Sequence, residues 1–212
     1  MFLEYGTRET DYLKSRDKRL GEVIDRIGHV NRTVDTDLFS AVVHQIIGQQ
    51  ISTAAQETLW RRLTAQLGSI NADSILSLGR VELQAVGMSY RKAAYIQEFA
   101  GKVRSGEFDI AALETMSDAK VAAALSSLKG IGVWTAEMIM IFCMQRPDIV
   151  SFGDLAILRG MRMLYRHRSI DRAKFETYRR RYSPCGTVAS LYLWAIAGGA
   201  LPELSDPAPK KK

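Results

Sequence analysis

Apolar residues recur at intervals of three and four along almost the whole of this chain, and turn-forming residues interrupt the pattern at short spacings. That period places apolar side chains on one face of a helix. Strand signals are missing, because β-branched residues are scattered and no alternating run leads into an Asn-Gly type of turn. The pattern therefore predicts an all-α protein. With 212 residues, 47% of them hydrophobic, the chain can bury a core in one domain or in two small lobes.

Capping residues predict where several of these helices begin and end. The segment 11–28 places Leu13, Leu20, Val23, Ile24 and Ile27 on one face and is expected to break at Gly28. Four later helices are predicted by the same reasoning: one capped by Asp37 and ending at Gly48, one from Ser52 to about Leu67, one from Ser89 to about Val103, and one capped by Ser117 and ending at Leu128 and Lys129.

Charge and cysteine usage limit the classes of partner and compartment. Twenty-nine Lys and Arg against 23 Asp and Glu leave a formal net charge of +6, which favours a polyanionic partner. The two cysteines, Cys143 and Cys185, are far apart and have neither a CxxC pair nor a histidine cluster beside them, so neither a disulfide framework nor a zinc site is indicated. A charged N-terminus and short apolar runs argue against export and membrane insertion. We expect an intracellular protein, in the cytoplasm and nucleoid or in a nucleus.

The stretch LKGIGVWTAEMIMIF, residues 128–142, combines two glycines with the start of an apolar helix. It predicts a helix, a hairpin and a second helix that begins at about Val133. Glycine lets a backbone approach another molecule closely, and Ile131 between the two glycines is expected to point inward. The free amides of such a loop can bind a phosphate. Taken alone, LKGIG fits an ordinary glycine-capped turn equally well.

Asp154 lies in DIVSFGDLAILRGM, residues 148–161, where it opens another helical run. The positive end of a helix stabilises a carboxylate placed there. A lone Asp at a helix start usually does no more than cap the helix. It lies some twenty residues after the glycine hairpin.

These two motifs together resemble the helix-hairpin-helix superfamily of DNA glycosylases, and in particular its DNA-3-methyladenine glycosylases. Three further segments are similar to that family over essentially the whole chain: HQIIGQQISTAA (residues 44–55), LQAVGMSYRKAAYIQEFA (residues 83–100) and CGTVASLYLWAIA (residues 185–197). The resemblance implies a hydrolase of the DNA-3-methyladenine glycosylase II type that excises N-alkylated purines, such as 3-methyladenine and 7-methylguanine, from duplex DNA in base excision repair.

The resemblance assigns catalysis to Asp154, whose carboxylate would stabilise the positive charge that builds up on the sugar and would orient the attacking water. An alkylated purine already carries positive charge, so no general acid is needed. Relatives that also cleave the strand have a lysine in the hairpin, where this chain has Gly132, Val133 and Trp134. The chain is therefore expected to be monofunctional, without lyase activity. Val133 and Gly153 depart from the basic and acidic residues that are common at these positions.

Excision from a duplex requires that the base be flipped out and that the gap be filled. The resemblance points to Gln50 for the wedge, with Gln49 and Ile51 beside it. Without the resemblance, these residues fit a helix end that hydrogen-bonds its own loop. Trp134 is the candidate for stacking on the electron-poor base. Met138, one helical turn later, would line the same pocket, although a core methionine fits the pattern as well.

The remaining predicted site residues contact the DNA backbone or a cation. Phosphates are expected to be bound by Lys129, Gly130, Ile131 and Gly132 together with the Trp134 amide, and less strongly by Ser89, Arg91 and Lys92. The resemblance also implies a monovalent Na⁺ or K⁺ held by the carbonyls of Ser126, Leu128 and Ile131. No cofactor is required, and no iron–sulfur cluster is expected, because that region carries only Cys185. The basic run 179–181 is interpreted as a solvated helix face.

We expect a two-lobed helical bundle over residues 1–204, with the site in a cleft between the lobes. Residues 34–150 would form approximately the central lobe, 1–33 with 151–204 the other lobe, and 205–212 a flexible basic tail. The expected partner is duplex DNA with alkylated bases, and the expected state is a monomer. Two alternatives stay open: a glycosylase for another damaged or mismatched base, and a DNA-binding module in which Asp154 is only a cap.

Overall fold

The computed structural model describes residues 1–208, and the regular structure of these residues is almost entirely helical. It comprises twelve α-helices and one 3-10 helix; the sole β-type pairing among the described residues is an isolated bridge between Phe2 and Thr33. The predicted all-α class is confirmed. None of the described helices has the length and apolar character that a bilayer span needs.

The helices form two units that differ in how the chain passes through them. A discontinuous unit consists of residues 1–34 and the chain from 145 to the last described residue, and a continuous unit consists of residues 35–144. The N-terminal part of the discontinuous unit contains α1 (Thr7–Arg16) and α2 (Lys18–Ile27). The continuous unit contains α3 (Leu38–Gly48), α4 (Thr53–Leu67), α5 (Ala72–Ser77), α6 (Arg80–Ala85), α7 (Tyr90–Ser105), the 3-10 helix (Ala111–Thr115), α8 (Asp118–Ser126) and α9 (Val133–Phe142). The C-terminal part of the discontinuous unit contains α10 (Leu155–Tyr165), α11 (Arg172–Tyr182) and α12 (Gly186–Ala197).

Three of the predicted N-caps close their helices through the expected hydrogen bond. The side chain of Asp37 accepts from the Ser40 amide at 3.0 Å, and Ser52 and Ser89 cap α4 and α7 in the same way. These bonds satisfy amides that have no partner inside the helix. Ser117 precedes α8 as predicted but makes no capping bond through its side chain, and α8 ends two residues earlier than expected, at Ser126.

The N-terminal segment forms two helices instead of the one predicted. Asp17 separates them: its backbone is extended, and its Oδ1 accepts from the Leu20 amide at 3.1 Å as the N-cap of α2. Tyr165 and Arg181 also hydrogen-bond its Oδ2. Apolar periodicity continues across the break, so only the capping geometry and the buried partners of Asp17 reveal it.

Two short helices, α5 and α6, were not predicted from the sequence. Asn71 caps α5 by accepting from the Ser74 amide at 2.9 Å, and the Ser74 hydroxyl in turn accepts from the Asn71 amide. Six residues are too few for a clear helical period. Packing of both helices against α7 is what makes them stable.

The discontinuous unit buries a core to which both ends of the chain contribute. Leu13 and Leu20 from α1 and α2 pack in one cluster with Met161 of α10 and Tyr182 of α11. Helices α10 and α12 approach closely at Gly160, where an added Cβ would overlap the Leu193 carbonyl. The unit therefore needs residues separated by more than a hundred positions in order to exclude water from its core.

Two charged segments of this unit make contacts that the sequence did not predict. The tail predicted over 205–212 is held in its described part, because Arg162 donates to both carboxylate oxygens of Asp206, at 2.9 and 2.5 Å. Residues 209–212 lie outside the described residues. The run 179–181 is not simply a solvated face: Arg179 pairs with Asp148, and Arg181 pairs with Asp17.

Candidate functional site

The loop between α8 and α9 has the predicted hairpin form, and its two glycines serve different purposes. Gly130 has a φ of +88°, which a side chain rarely adopts, and a Cβ there would lie 2.6 Å from the Tyr95 ring. Gly132 is extended, precedes α9 as its N-cap residue and has open space where a Cβ would be. Ile131 between them is buried, as predicted. The buried Ile131 side chain therefore anchors the hairpin, and the glycines on either side of it leave the backbone uncovered by side chains.

The amides of this hairpin form a candidate anion site. The Ile131 amide is used within the turn, where it donates to the Leu128 carbonyl at 3.0 Å. Within residues 1–208, the amides of Gly130, Gly132 and Val133 have no hydrogen-bond partner. They lie at the N-terminus of α9, whose dipole favours negative charge. This arrangement can bind a phosphate oxygen without a charged side chain.

The turn after α3 exposes one predicted wedge residue in an unusual conformation. Gln50 is exposed and has a φ of 57°, in the left-handed region that residues other than glycine seldom occupy. Ile51 beside it is also exposed. Gln49 points elsewhere, because its side-chain amide donates to the Gly130 carbonyl. Gln49 therefore links the turn to the hairpin and is not available as a wedge, whereas Gln50 and Ile51 are.

Lys92 was predicted to contact the DNA backbone, but its ammonium group is used inside the protein. It donates to the carbonyls of Ile47 and Gln49, at 2.8 and 2.7 Å. Burial lowers its pKa from the ordinary lysine value. These two bonds satisfy carbonyls at the end of α3 that would otherwise lack partners. Lys92 therefore holds the turn that carries Gln50.

The other predicted backbone contacts near the hairpin also have partners in the protein. Arg91 donates to the Tyr95 hydroxyl at 2.7 Å, which raises the pKa of the guanidinium. Lys129 forms an ion pair with Glu98 at 2.8 Å, and Ser89 is occupied as the N-cap of α7. Both cations are exposed, and exposed ion pairs are worth little free energy. A phosphate can compete for Lys129 and Arg91 far more easily than for Lys92.

The two residues predicted to bind the base, Trp134 and Met138, differ in exposure. Trp134 on the first turn of α9 has 46% of its surface exposed, so its ring is accessible. Met138, predicted to share the pocket, is only 5% exposed. The helix becomes buried on most sides after its first turn, so spacing along one face did not keep Met138 at the surface. Met138 belongs to the core, the second interpretation that its pattern allowed.

The predicted cation ligands are the last residue of α8, Ser126, and two residues of the hairpin loop, Leu128 and Ile131. The Leu128 carbonyl already accepts one hydrogen bond and retains a second lone pair. The buried Ser126 hydroxyl has no hydrogen-bond partner among the described residues, and an orphaned buried oxygen of this kind is compatible with a nearby ion. The oxygen atoms of Ser126, Leu128 and Ile131 are therefore suitable ligands for a hard monovalent cation.

Asp154 is the N-cap of α10, in the discontinuous unit. Its Oδ1 accepts from the amides of Ala156 and Ile157, at 2.8 and 2.9 Å. The residue is 7% exposed. Two amide donors fix the orientation of the carboxylate, and the helix dipole stabilises its negative charge. Asp154 therefore caps α10, and the two amide bonds hold its carboxylate in a fixed orientation.

Residues that sequence reasoning missed hold the segment that leads to Asp154. Asp148 accepts from the Ser183 hydroxyl at 2.6 Å and from the Gly186 amide at 3.1 Å. The Thr187 hydroxyl accepts from the Ile149 amide, and the Ser190 hydroxyl donates to the Ile149 carbonyl. The available signal was the pair of hydroxyl residues, Thr187 and Ser190, among small residues at the start of α12. The sequence of α12 predicts an apolar helix, and only the structure shows that its hydroxyl groups hydrogen-bond the loop before Asp154.

The described residues combine a helical fold, a glycine hairpin with free amides and a carboxylate fixed at a helix N-terminus, and the hairpin places the protein in the helix-hairpin-helix structural class. The family model described as "HhH-GPD superfamily base excision DNA repair protein" matches residues 43–184. The chain therefore belongs to this superfamily of base excision DNA repair proteins.

Known proteins are similar to the chain over nearly its whole length. DNA-3-methyladenine glycosylase 1 of Schizosaccharomyces pombe is 24% identical over 97% of this chain and 93% of its own. The crystal structure of a DNA-3-methyladenine glycosidase from Bacillus halodurans superposes with a TM-score of 0.86 at 32% identity, covering 96% of this chain and 95% of that one. The S. pombe 3-methyladenine DNA glycosylase in complex with abasic DNA superposes with a TM-score of 0.79 at 23% identity, covering 94% and 100%.

Proposed function

We propose that this chain is a monofunctional DNA-3-methyladenine glycosylase that removes N-alkylated purines, 3-methyladenine and 7-methylguanine, from duplex DNA by hydrolysis. The observation that carries the proposal is the buried Asp154 carboxylate, fixed by two amides at the N-terminus of α10. The names of the similar proteins support the substrate class.

The chemistry asks one carboxylate to act on the sugar. Cleavage of the N-glycosidic bond develops positive charge on the deoxyribose, and a fixed negative group stabilises that charge more than it stabilises the ground state. Asp154 supplies this charge and orients or deprotonates the water that attacks the sugar carbon. The alkylated purine leaves as a neutral base, so no second carboxyl group has to protonate it.

The continuous unit would bind the duplex DNA and hold the damaged nucleotide in its flipped-out position. The amides of Gly130 and Gly132 bind a backbone phosphate, and a monovalent cation held by Ser126, Leu128 and Ile131 would add positive charge to this contact. Gln50 and Ile51 fill the space that the flipped nucleotide leaves, and the accessible ring of Trp134 stacks on the electron-poor base. A desolvated cation on such a ring gains about 1 to 2 kcal/mol over a neutral base.

Absence of strand cleavage follows from the hairpin sequence. A lyase forms a Schiff base between a lysine and the sugar, whereas positions 132–134 are Gly, Val and Trp. Lys129 lies before the glycines and pairs with Glu98. Borohydride should therefore trap no covalent adduct with damaged duplex, and an appreciable adduct would contradict monofunctional chemistry.

A matched pair of Asp→Asn variants tests the catalytic assignment. Asn caps helices as well as Asp does, so Asp154→Asn should fold normally and bind duplex DNA, while release of 3-methyladenine and 7-methylguanine falls at least about a hundredfold. Asp171, which caps α11 by accepting from the Lys174 amide at 2.8 Å, provides the control. Asp171→Asn should release bases at the wild-type rate. The measurement is chromatography of bases freed from methylated duplex.

Each alternative function has its own result in this assay. Wild-type base release by Asp154→Asn would remove that residue from the mechanism. Duplex binding with no base release by the wild-type protein would identify a DNA-binding module in which Asp154 is only a cap. Release from oxidised or mismatched duplex, but not from methylated duplex, would identify a glycosylase for another lesion.

A further inference from the structure

A cavity of about 400 Å³ opens in the discontinuous unit where α1 meets α2, and we call it the α1–α2 pocket. Its lining is rich in basic groups: Arg16, Lys18, Arg19 and Arg181 carry positive charge, and Asp17 is the acidic residue. Nothing in the proposed chemistry of Asp154 uses this pocket. Its charge distribution therefore requires a separate explanation.

The negative charge of Asp17 is already matched inside the protein. Asp17 is 5% exposed, and its oxygens accept from the Leu20 amide at 3.1 Å, the Tyr165 hydroxyl at 2.8 Å and Arg181 at 3.1 Å. One buried carboxylate and one guanidinium cancel in net charge. The positive charges of Arg16, Lys18 and Arg19 remain.

These three cations have no acidic partner in the part of the chain that the structure describes. All three are exposed, and none forms an ion pair with a described residue. Glu22 lies four residues after Lys18, at a spacing that suits an ion pair, yet none forms. Three like charges within four positions repel one another. An anion bound among them would relieve that repulsion.

The floor of the pocket is rigid. Tyr165 stacks on Tyr178 with ring centroids 3.7 Å apart, and the Tyr178 hydroxyl hydrogen-bonds Nε2 of His167 at 2.7 Å. The guanidinium of Arg181 lies 5.0 Å from the centre of the Tyr178 ring. The aromatic surface is thus already used in stacking, while the guanidinium and ammonium groups remain exposed. That combination suits a phosphate better than a base.

We propose that the α1–α2 pocket binds a backbone phosphate of duplex DNA, as an electrostatic contact in addition to the hairpin. The inference rests on the proposed function for the identity of the polyanion. It does not require Asp154 to be catalytic. Each phosphate neutralised releases condensed counterions, so the contact should appear in the salt dependence of DNA affinity.

The test compares two double variants that each remove two positive charges. Arg16→Ala/Arg19→Ala removes two pocket cations, and Arg8→Ala/Lys174→Ala removes two exposed cations outside the pocket. Affinity for a fluorescent undamaged duplex is measured against salt concentration. The pocket variant should lower the slope of log K against log salt by about 0.9 for each phosphate that the pocket no longer neutralises. The outside variant should keep the wild-type slope, and an equal reduction of the slope in both variants would overturn the proposal.

A second experiment, with inorganic phosphate, distinguishes binding of a DNA phosphate in the pocket from binding of a free anion. If phosphate raises the melting temperature of wild type above that in chloride of equal ionic strength, while the pocket variant keeps the wild-type DNA slope, the pocket binds a free anion and the DNA proposal fails. Absence of base release by the wild-type protein would refute the proposed function and leave the slope result standing.

Discussion

Gln50 occupies a backbone conformation that is costly for its residue type. A side chain with a φ near 57° loses about 1 kcal/mol relative to ordinary helix or strand geometry. The turn keeps it there because Gln49 is bonded to Gly130 and Lys92 is bonded to the carbonyls of Ile47 and Gln49. Strain that is held by surrounding bonds and placed on an exposed tip is typical of functional positions.

The two hairpin glycines predict opposite outcomes for the same substitution. Gly130→Ala forces a methyl group into a positive φ and against the Tyr95 ring, so it should destabilise the fold by about 1 to 3 kcal/mol. Gly132→Ala meets open space at an allowed φ and should cost less than about 1 kcal/mol. Its methyl stands beside the free amides, so DNA affinity should fall about tenfold. Thermal melts and duplex binding measure both, and an unaltered affinity in Gly132→Ala would contradict phosphate binding by these amides.

At the scale of elements, α10 is fixed at both ends. Its N-terminus follows a loop that Asp148, Thr187 and Ser190 bond to the start of α12. Its last turn is held through Arg162 by Asp206. The Asp154 carboxylate lies at the N-cap of this helix. The bonds at the two ends restrict movement of α10 along and about its axis, and so keep that carboxylate in place.

The Asp206 contact predicts a stability change in acid. Hydrogen bonds from Arg162 lower the pKa of the Asp206 carboxyl below its ordinary value. A carboxyl group with a depressed folded-state pKa contributes stability above its unfolded pKa, near 4, and loses it as the pH falls through the lower folded value. Asp206→Asn should therefore cost about 1 kcal/mol at neutral pH and very little at pH 2 to 3. Denaturant unfolding at both pH values measures this, and an equal loss at both would exclude the ion pair as the cause.

For the whole molecule, the discontinuous unit depends on residues 1–34. Leu13, Leu20, Val23 and Ile24 are fully or almost fully buried against helices from the other end of the chain. Without them, the apolar faces of α10, α11 and α12 would be exposed to water. The unit cannot form until the last helices have been made, because both ends contribute to its core.

A chain that begins at residue 35 should therefore lose the fold of the discontinuous unit. Limited proteolysis followed by mass spectrometry should show rapid cleavage within 145–208, and base release should be absent. A synthetic peptide of residues 1–34 supplied in trans should restore protection of 145–208, because the buried side chains return. Protection of 145–208 without the peptide would show that the N-terminal helices are dispensable for this core.

The all-α class, the capped starts of α3, α4 and α7, and the hairpin were predictable because each depends on signals within a few residues: helical period, a side chain that caps its own helix, and glycine where the backbone turns. Asp154 was predictable as a helix cap for the same reason, and its candidacy as a catalytic group came from the resemblance to the helix-hairpin-helix DNA glycosylases. Its cap is local, and the roles given to it and to Trp134 stay proposals until base release is measured.

Tertiary structure decided what local signals leave open, namely which atoms have already found partners. Lys92, Gln49 and Met138 have the right chemistry for contact with DNA in the sequence, yet two are bonded to backbone carbonyls and the third is buried. Asp17 breaks a continuous helical pattern because Tyr165 and Arg181, far along the chain, bond its carboxylate. Hydrogen bonding and burial depend on contacts between residues that are distant in sequence. A local pattern along the chain does not contain that information.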